Sequence, residues 1–474
     1  MDQPTATAPA ERFTAPGAWR HGLRYGLMGL PLAFVALPLY VILPHHYARS
    51  FAVPLAALGA VLLAARLFDA VLDPLIGRWT DRQFARSHRA VLAAGGAAAV
   101  VLALGLWGLL FPPAATRADA STVLVWAGVL MAITCAAYSV ASVAHQTWGT
   151  RLGGSEAQRS RISAWREGLA LVGVLTAAVL PGTLGLDATV TAFAALLALG
   201  WWSWSGAVAP TTRAPAQGTP QQQLAAHRSP GRPQNGGTPS GGPAQPGLGA
   251  KTHPLAQPRF VRLLLVFVVN GTASAVPATL VLFFVQDRLQ APARIEPAFL
   301  ATYFLCAALS LPLWVRLVPR LGLARTWLMG MALSVAVFIW AATLGAGDVA
   351  AFLIVCALSG IALGTDLALP SALLTGLVDE LGERGQREGA YLGWWNFAAK
   401  LNLALAAGLA LPLLGAFGYT PGARDPQALW TLTVAYCLLP CGLKLLAAGL
   451  LHTLLIRPAR PAATSLSSPL KALP

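Results

Sequence analysis

The chain has 474 residues, of which 56% are hydrophobic and 11% are charged, and its mean hydropathy is +0.61. Soluble domains carry about 25% charged residues, so this composition excludes an ordinary soluble protein and predicts an integral membrane protein. The net charge of +15 would suggest nucleic acid in a soluble chain, but here the arginines collect at the ends of apolar runs. We therefore expect the lipid bilayer as a partner and no nucleic acid.

Mostly apolar runs of about 20 residues, each long enough to cross a bilayer as a helix, occur about twelve times. The predicted spans centre near Val35, Val61, Val100, Met131, Val174 and Ala195 in residues 20–208, and near Val269, Leu305, Val335, Ile361, Ala406 and Leu443 in residues 259–456. The sequence thus predicts an all-α membrane protein of twelve transmembrane helices in two six-helix halves.

Residues 209–258, between the two halves, are rich in Pro, Gly, Gln and Ser and show no apolar periodicity. Such a segment cannot bury enough apolar surface to fold, so we predict a disordered linker. Residues 1–19 and 457–474 are predicted to be polar tails. The N-terminus lacks the order of basic and apolar residues that a cleaved signal peptide has, so we expect the first span to remain as a membrane anchor.

Arginines and lysines cluster in alternate connections between the spans, in the linker and beside both termini. The positive-inside rule places these segments, with both termini, in the cytoplasm, and we expect a bacterial inner membrane. Two six-span halves joined by a cytoplasmic linker is the layout of major facilitator transporters. In those proteins the solute binds near the midplane, between the halves.

The second span carries charges within an apolar run, in the sequence RLFDAVLDPLIGRWTDR. Arg66, Asp69 and Asp73 are separated by three and four residues, so we expect them on one stripe of a helix, facing a polar interior. Two carboxylates one turn apart cannot both stay ionised in a membrane without a cation, a proton or a basic partner. The pair indicates a coupling-ion site for Na⁺ or H⁺; the alternative is a structural ion pair with Arg66.

The end of the second span is predicted from its helix-breaking residues. Pro74 and Gly77 are expected to end the helix. Asp81 and Arg82 would then lie in a short cytoplasmic loop, which we interpret together with Gly77 as a gating loop.

Two lysines lie within predicted spans. Lys400, in span eleven, is too far from either end to reach the interface easily, so it needs an acidic partner. We expect Asp69 or Asp73, across the two halves, and Asp366 in span ten is the alternative. For Lys444 in span twelve we expect a packing or snorkelling role at the lipid-facing periphery; the alternative is that it also needs an acidic partner, as Lys400 does.

Further polar residues interrupt other spans. Arg166, at the start of span five, is suited to bidentate hydrogen bonding to a solute, or is an ordinary positive-inside residue. In span four, Tyr138, Ser142, His145 and Gln146 form a polar stripe that suits a neutral hydroxylated ligand or holds helices together.

An aromatic and amide pair, Trp395 and Asn396, precedes Lys400. These side chains could contact the apolar face of a sugar. The alternative is that the tryptophan marks a membrane boundary.

The motif in span two resembles the second helix and following loop of the glycoside-pentoside-hexuronide:cation symporters, the melibiose permease family of the major facilitator fold. Gly77, Asp81 and Arg82 are similar to the short Gly-x-x-x-Asp-Arg signature of that superfamily. The likeness extends to Arg166 in SAWREG, to GTDLALPSALLTGLVDE, and to GAYLGWWNFAAKLNLA with Lys400. It covers most of both halves and not the linker.

The resemblance implies roles for matching residues. Asp69 and Asp73 correspond to the acidic pair that binds the coupling cation, Arg166 to an arginine of the sugar site, and Lys400 to a lysine that communicates with the cation site. This chain departs from the melibiose transporters because its first span has no acidic residue and Ser142 stands at the position of an acid in helix four.

We therefore expect a secondary active transporter that couples Na⁺ or H⁺ to symport of a sugar or a related small polar solute. The alternative is a major facilitator transporter of an amphiphile, a lipid-like molecule or a drug. A membrane scaffold that uses the linker is a third interpretation. The sequence has no nucleophile elbow, Walker loop or metal-binding His pair, so we expect neither an enzyme nor an ATP-driven pump. We expect no cofactor apart from the coupling ion, and a monomer.

Overall fold

A computed structural model of the chain describes residues 8–51, 55–117, 119–210, 253–420 and 422–457, and these residues form helices and no strands. The N-terminal half consists of α1 (Ala18–Gly26), α2 (Gly29–Phe34), α3 (Leu43–Ser50), α4 (Leu55–Arg86), α5 (His88–Leu110), α6 (Ala120–Leu152) and α7 (Glu156–Ser205). The C-terminal half consists of α8 (Pro258–Phe283), α9 (Glu296–Leu321), α10 (Leu323–Ala341), α11 (Val349–Glu380), α12 (Glu388–Ala416), α13 (Pro426–Thr433) and α14 (Leu439–Leu451). The all-α prediction is confirmed.

These helices supply the predicted spans. Eight of the described helical segments are long and apolar enough to cross a membrane by length and composition. One of them, α7, holds spans five and six, which are separated at Gly185, where φ is 82°. Glycine adopts this left-handed conformation without a steric cost, so the chain can bend there. The first span (α1 to α3), α4 and α12 complete the twelve.

The prediction that Pro74 and Gly77 end the second span is wrong, because α4 continues to Arg86. Proline removes one hydrogen bond of the helix, and the packing of α4 against α12 along its length maintains the helical path. The helix ends before Ser87, whose backbone is extended and whose hydroxyl caps α5 by accepting from the amide of Ala90. Asp81 and Arg82 therefore lie on a helix and not in a loop.

Gly77 serves the packing of this helix pair instead. A Cβ atom at Gly77 would clash with the carbonyl oxygen of Gly389 in α12, and one at Gly393 would clash with the carbonyl oxygen of Asp73. The backbones of α4 and α12 are thus in direct contact, which only glycine permits at these positions. This contact brings the charged segment of α4 against the C-terminal half.

Each half has its own apolar core. The N-terminal core includes the buried Trp148, Phe193 and Trp204, and the C-terminal half has two clusters, one around Phe284 and one around Trp327. A much smaller apolar cluster joins the halves, from Leu171 of α7 to Ala307, Leu311 and Ala368. Each bundle thus has its own core, and the two meet mainly where α4 packs on α12 and where α7 packs on α9 and α11.

The predicted linker and tails are only partly covered by the described residues. Residues 1–7, 211–252 and 458–474 lie outside them, so the disorder of the linker and the two polar tails stay predictions. In the N-terminal tail, Pro9–Phe13 forms a 3₁₀ turn, in which Phe13 is 1% exposed and its ring lies 6.4 Å from that of Tyr25. This part of the tail is therefore packed on the bundle, since its one aromatic side chain is buried there.

Candidate functional site

A cluster of charges lies between the two halves. The Nζ atom of Lys400 in α12 is 2.6 Å from Oδ2 of Asp69 and 2.8 Å from Oδ2 of Asp73, both in α4. It also donates to Oγ of Ser139 in α6, at 2.9 Å, and Ser139 donates to Oδ1 of Asp69 at 2.7 Å. The expected approach of Lys400 to the two carboxylates is confirmed.

The charges of this cluster do not balance. Asp69 and Asp73 are 1% and 0% exposed, and among the described residues their ion pairs are both with the ammonium of Lys400. Asp69 also accepts a hydrogen bond from Ser139, whereas in the described structure the oxygens of Asp73 have the ion pair and no properly aligned hydrogen bond. With both carboxylates ionised, Asp69, Asp73 and Lys400 together carry a net charge of −1 inside the membrane, where an unbalanced charge is costly.

Arg66 does not share the buried stripe that the sequence predicted. Its side chain is exposed, whereas Asp69 and Asp73 are buried. A helix turns by about 100° per residue, so a residue three positions away can lie at the margin of a stripe, and here packing against α12 and α6 buries the two acidic residues. The basic partner that both carboxylates share is Lys400.

Ser139 was missed by the sequence analysis. It precedes Ser142 by three residues, so it lies on the same face of α6 as the polar stripe, and this spacing could have identified it. Tyr138 is half-buried, its phenol interacts with the hydroxyl of Ser142, and it lies near Asp69. Ser142 also accepts from the amide of Gln146, at 2.8 Å.

His145 does not lie with the polar residues predicted for one face of span four. It is fully buried, its ring stacks on that of Tyr25 with 4.5 Å between centroids, and its Nε2 lies 2.8 Å from the carbonyl oxygen of Tyr25. This histidine thus joins α6 to the first span and contributes to the core of the N-terminal half.

Arg166 is held by its neighbour in the sequence. Its guanidinium donates to Oε1 of Glu167 from Nε at 2.9 Å and from Nη2 at 2.7 Å. The cavity beside it, lined also by Tyr25 and Ser371, has a volume of about 10 Å³, which is enough for about one water. This cavity is too small for a sugar-sized solute in this structure.

Trp395 and Asn396 point in different directions. Trp395 is 5% exposed and stacks on Phe267 of α8, with 3.8 Å between ring centroids, so it belongs to the core of the C-terminal half. In this structure the ring of Trp395 packs within the core instead of facing the charged cluster, and its contact with a sugar stays a prediction. Asn396 is half-buried and lies one turn before Lys400, on the same face of α12.

A second buried ion pair lies within the C-terminal half. Nζ of Lys444 in α14 is 2.6 Å from Oδ2 of Asp366 in α11, and it donates to Oδ1 of Asn270 at 2.9 Å. Asp366 also accepts from Asn270, Ser274 and Trp327, at 3.0, 3.2 and 2.8 Å. Lys444 is 4% exposed, so the predicted snorkelling role is wrong.

Lys444 is buried because the face of α14 that carries it packs against α8 and α10 and does not face lipid. A buried ammonium requires a carboxylate nearby, and Asp366 provides it. This pairing also excludes Asp366 as the partner of Lys400 in this structure.

We expect Lys444→Met to destabilise the protein strongly, because it leaves the Asp366 carboxylate buried without a counter-charge. Removal of one partner from a buried pair costs roughly 3 to 5 kcal/mol. The double variant Asp366→Asn/Lys444→Met removes both charges and should recover much of that loss. Thermal unfolding of the purified proteins measures the difference. Equal midpoints for the wild type and Lys444→Met would contradict a structural role for this pair.

At one end of the bundle, Asp81 of α4 links the two halves. Its carboxylate accepts from the backbone amides of Gly389 and Ala390, both at 2.8 Å, at the start of α12. A carboxylate is stabilised at a helix N-terminus by the free amides and the helix dipole. Arg151 of α6 is 3.1 Å from Asp81 and 3.2 Å from Glu388, and so completes the network. Arg82 is exposed.

Further bonds connect the halves at the same end. Glu156, at the start of α7, accepts from the backbone amide of Leu323 at the start of α10, at 3.0 Å. Arg384 donates to the carbonyl oxygen of Leu152, also at 3.0 Å. These contacts, with those of Asp81 and Arg151, close this end of the interface between the halves. We call it the Arg-rich end, because it holds Arg78, Arg82, Arg86, Arg151, Arg159 and Arg384.

Two six-helix bundles that meet along α4, α7 and α12, with buried charges between them, define a secondary transporter of the major facilitator fold. The sequence matches the profile of the family described as MFS/sugar transport protein over residues 24–226 and 238–457, and the chain belongs to this family. A comparison with curated protein sequences found no match.

Solved structures of transporters share the fold. The chain is similar to a bacterial homologue of the iron transporter ferroportin in an outward-facing state, with 14% identity, a TM-score of 0.64, and coverage of 91% of this chain and 98% of that one. It is also similar to the E. coli fucose:proton symporter, with 14% identity, a TM-score of 0.59, and coverage of 89% and 98%. A human organic anion transporter has 16% identity, a TM-score of 0.59, and coverage of 91% and 99%. At these identities the likeness establishes the fold alone.

Proposed function

We propose that this transporter couples Na⁺ or H⁺ to symport of a sugar or a related small polar solute. The observation that carries the proposal is the cluster in which the carboxylates of Asp69 and Asp73 share the single ammonium of Lys400. A cation at the carboxylates, or a proton on Asp73, would neutralise the remaining charge. We propose Asp69 and Asp73 as the cation ligands.

The position of the cluster suggests how coupling would work. The carboxylates belong to the N-terminal half and Lys400 to the C-terminal half, so their ion pairs join the halves. A bound cation competes with the ammonium for the same oxygens and weakens this link. The cation thereby changes the relative stability of the two access states, which is what coupling to solute movement requires.

The solute would bind beside the cluster. Tyr138, Ser142 and Asn396 offer hydroxyl and amide groups that suit the hydroxyls of a sugar. Arg166 is a further candidate once its bond to Glu167 opens. In this account Gly77 and Asp81 act as a gate at the Arg-rich end, which we place in the cytoplasm together with both termini.

A second candidate solute is an amphiphile or a drug-like molecule. The first span has no acidic residue, and an aromatic cavity lies in the C-terminal half. An apolar site of this kind suits a molecule with a large apolar part.

A thermal-shift screen of the purified protein against sugars, organic acids and lysolipids, each with and without Na⁺ and at two pH values, tests the proposal. A ligand that binds the folded state raises the unfolding temperature by mass action. We expect a sugar or similar polar solute to stabilise the protein more when the coupling cation is present. Stabilisation by lysolipids alone, independent of Na⁺ and pH, would favour the second candidate.

A further inference from the structure

A cavity of about 280 Å³ lies inside the C-terminal half. Five aromatic side chains line it: Phe299, Tyr303 and Phe304 of α9, Phe338 of α10, and Tyr436 between α13 and α14. All residues of its wall belong to the C-terminal half, so it is distinct from the cluster around Lys400. Its volume and aromatic lining are typical of a site that takes a compact apolar body.

Asp366 and Lys444 also line this cavity and provide its polar part. The carboxylate of Asp366 accepts four hydrogen bonds. An ammonium has three donors, and those of Lys444 have two acceptors among the described residues, Asn270 and Asp366. The pair thus offers one further donor to the cavity, whereas its charges compensate each other.

We propose that this cavity is a second ligand site, which takes a neutral molecule with an aromatic or alicyclic body and one oxygen acceptor, a ketone or a hydroxyl. The aromatic walls would cover the body, and Lys444 would donate its remaining N–H to the oxygen. An organic cation would lie against the ammonium of Lys444, and an organic anion would add an uncompensated charge to an apolar cavity. The ligand is therefore expected to be neutral, because either charge would be unfavourable in this cavity.

The wall of the cavity allows a variant that fills it. Ser359 of α11 lines the cavity and is 8% exposed, and within the described part of the chain its hydroxyl donates to the carbonyl oxygen of Cys356 in its own helix. Ser359→Phe would place a ring in the cavity without breaking a bond between helices. Ile354, on the same helix, is 52% exposed, so Ile354→Phe adds the same ring outside the bundle and serves as the matched control.

Benzophenone, an aromatic ketone whose excited carbonyl inserts into nearby C–H bonds, is the probe. Irradiation of the purified full-length protein should label residues of the cavity wall, identified by mass spectrometry of the peptides. We expect Ser359→Phe to reduce this labelling about tenfold or more and Ile354→Phe to leave it unchanged. Labelling spread over the lipid-facing surface, and equal in both variants, would overturn the proposal.

Two compounds that compete with benzophenone for the cavity test the proposed hydrogen bond from Lys444 to the ligand oxygen. Fluorenone and fluorene have nearly the same shape, but only fluorenone has an oxygen acceptor. A hydrogen bond to a charged donor contributes about 1.5 to 3 kcal/mol, so fluorenone should displace benzophenone at about a tenfold lower concentration or less. Equal competition would refute the role of Lys444. Asp73→Asn should be labelled like the wild type, so this site is tested independently of the proposed coupling.

Discussion

Replacement of Asp73 by Asn is expected to reduce cation-driven accumulation of the solute to background, while the protein still inserts and folds. The substitution removes a charged ligand and leaves the side-chain volume nearly unchanged. It also removes the uncompensated charge, since one carboxylate then faces the single ammonium of Lys400. Without a cation whose affinity differs between the two access states, nothing drives uphill movement, although downhill exchange can continue.

The measurement is uptake into proteoliposomes with an imposed Na⁺ or H⁺ gradient, with a solute identified by the thermal-shift screen. Asp69→Asn should give the same loss. Asp187→Asn, which changes an exposed carboxylate of α7, is the matched control and should accumulate solute like the wild type. Intact gradient-driven uptake in both α4 variants would show that the ion binds elsewhere.

Gly393→Ala is expected to open the Arg-rich end of the protein. The added methyl group would overlap the backbone oxygen of Asp73, and a backbone cannot move aside as a flexible side chain can. Overpacking of this kind costs about 1 to 3 kcal/mol, and we expect it to affect only the state in which α4 and α12 touch. The population open at this end should therefore rise about tenfold.

A cysteine at Thr80, which is 1% exposed in α4, reports the opening. Maleimide labelling of Thr80→Cys, above the background of the parent protein, should become about tenfold faster with Gly393→Ala. Gly415→Ala, on the same helix, is the matched control, because a Cβ there has no atom within 4 Å. Equal labelling rates in the two backgrounds would contradict the close contact of α4 with α12 as the basis of closure.

The charged residues within apolar runs were the most predictable part of the site. A charge in a membrane must be compensated nearby, so the amino-acid sequence predicts an acidic partner for Lys400. It favoured Asp69 or Asp73 over Asp366, and the ion pairs of the structure select the first. The same argument applied to Lys444, but there the prediction assumed a lipid-facing helix face. Only the packing of α14 against α8 and α10 shows that its partner is Asp366.

Predictions from local sequence were wrong or incomplete where contacts between helices determine the helix ends and the partners of side chains. Pro74 and Gly77 are helix-breaking residues by propensity, yet α4 continues because its packing on α12 stabilises the helix. Gly77 is present because a larger residue would prevent that contact. Ser139 was missed because serine is common in membrane spans and, being uncharged, does not require a charged partner there. Trp395 was assigned to the solute because its ring could stack on a sugar, and it stacks on Phe267 instead.

The central claim, that solute and cation move together, is tested most directly by measuring cation entry caused by the solute itself. Proteoliposomes without an ion gradient are given an inward gradient of the solute alone, and internal pH and entry of radioactive Na⁺ are followed. Our account predicts that one of the two cations enters with the solute in the wild type and not in Asp73→Asn. Solute entry by the wild type that carries neither Na⁺ nor H⁺ would contradict it.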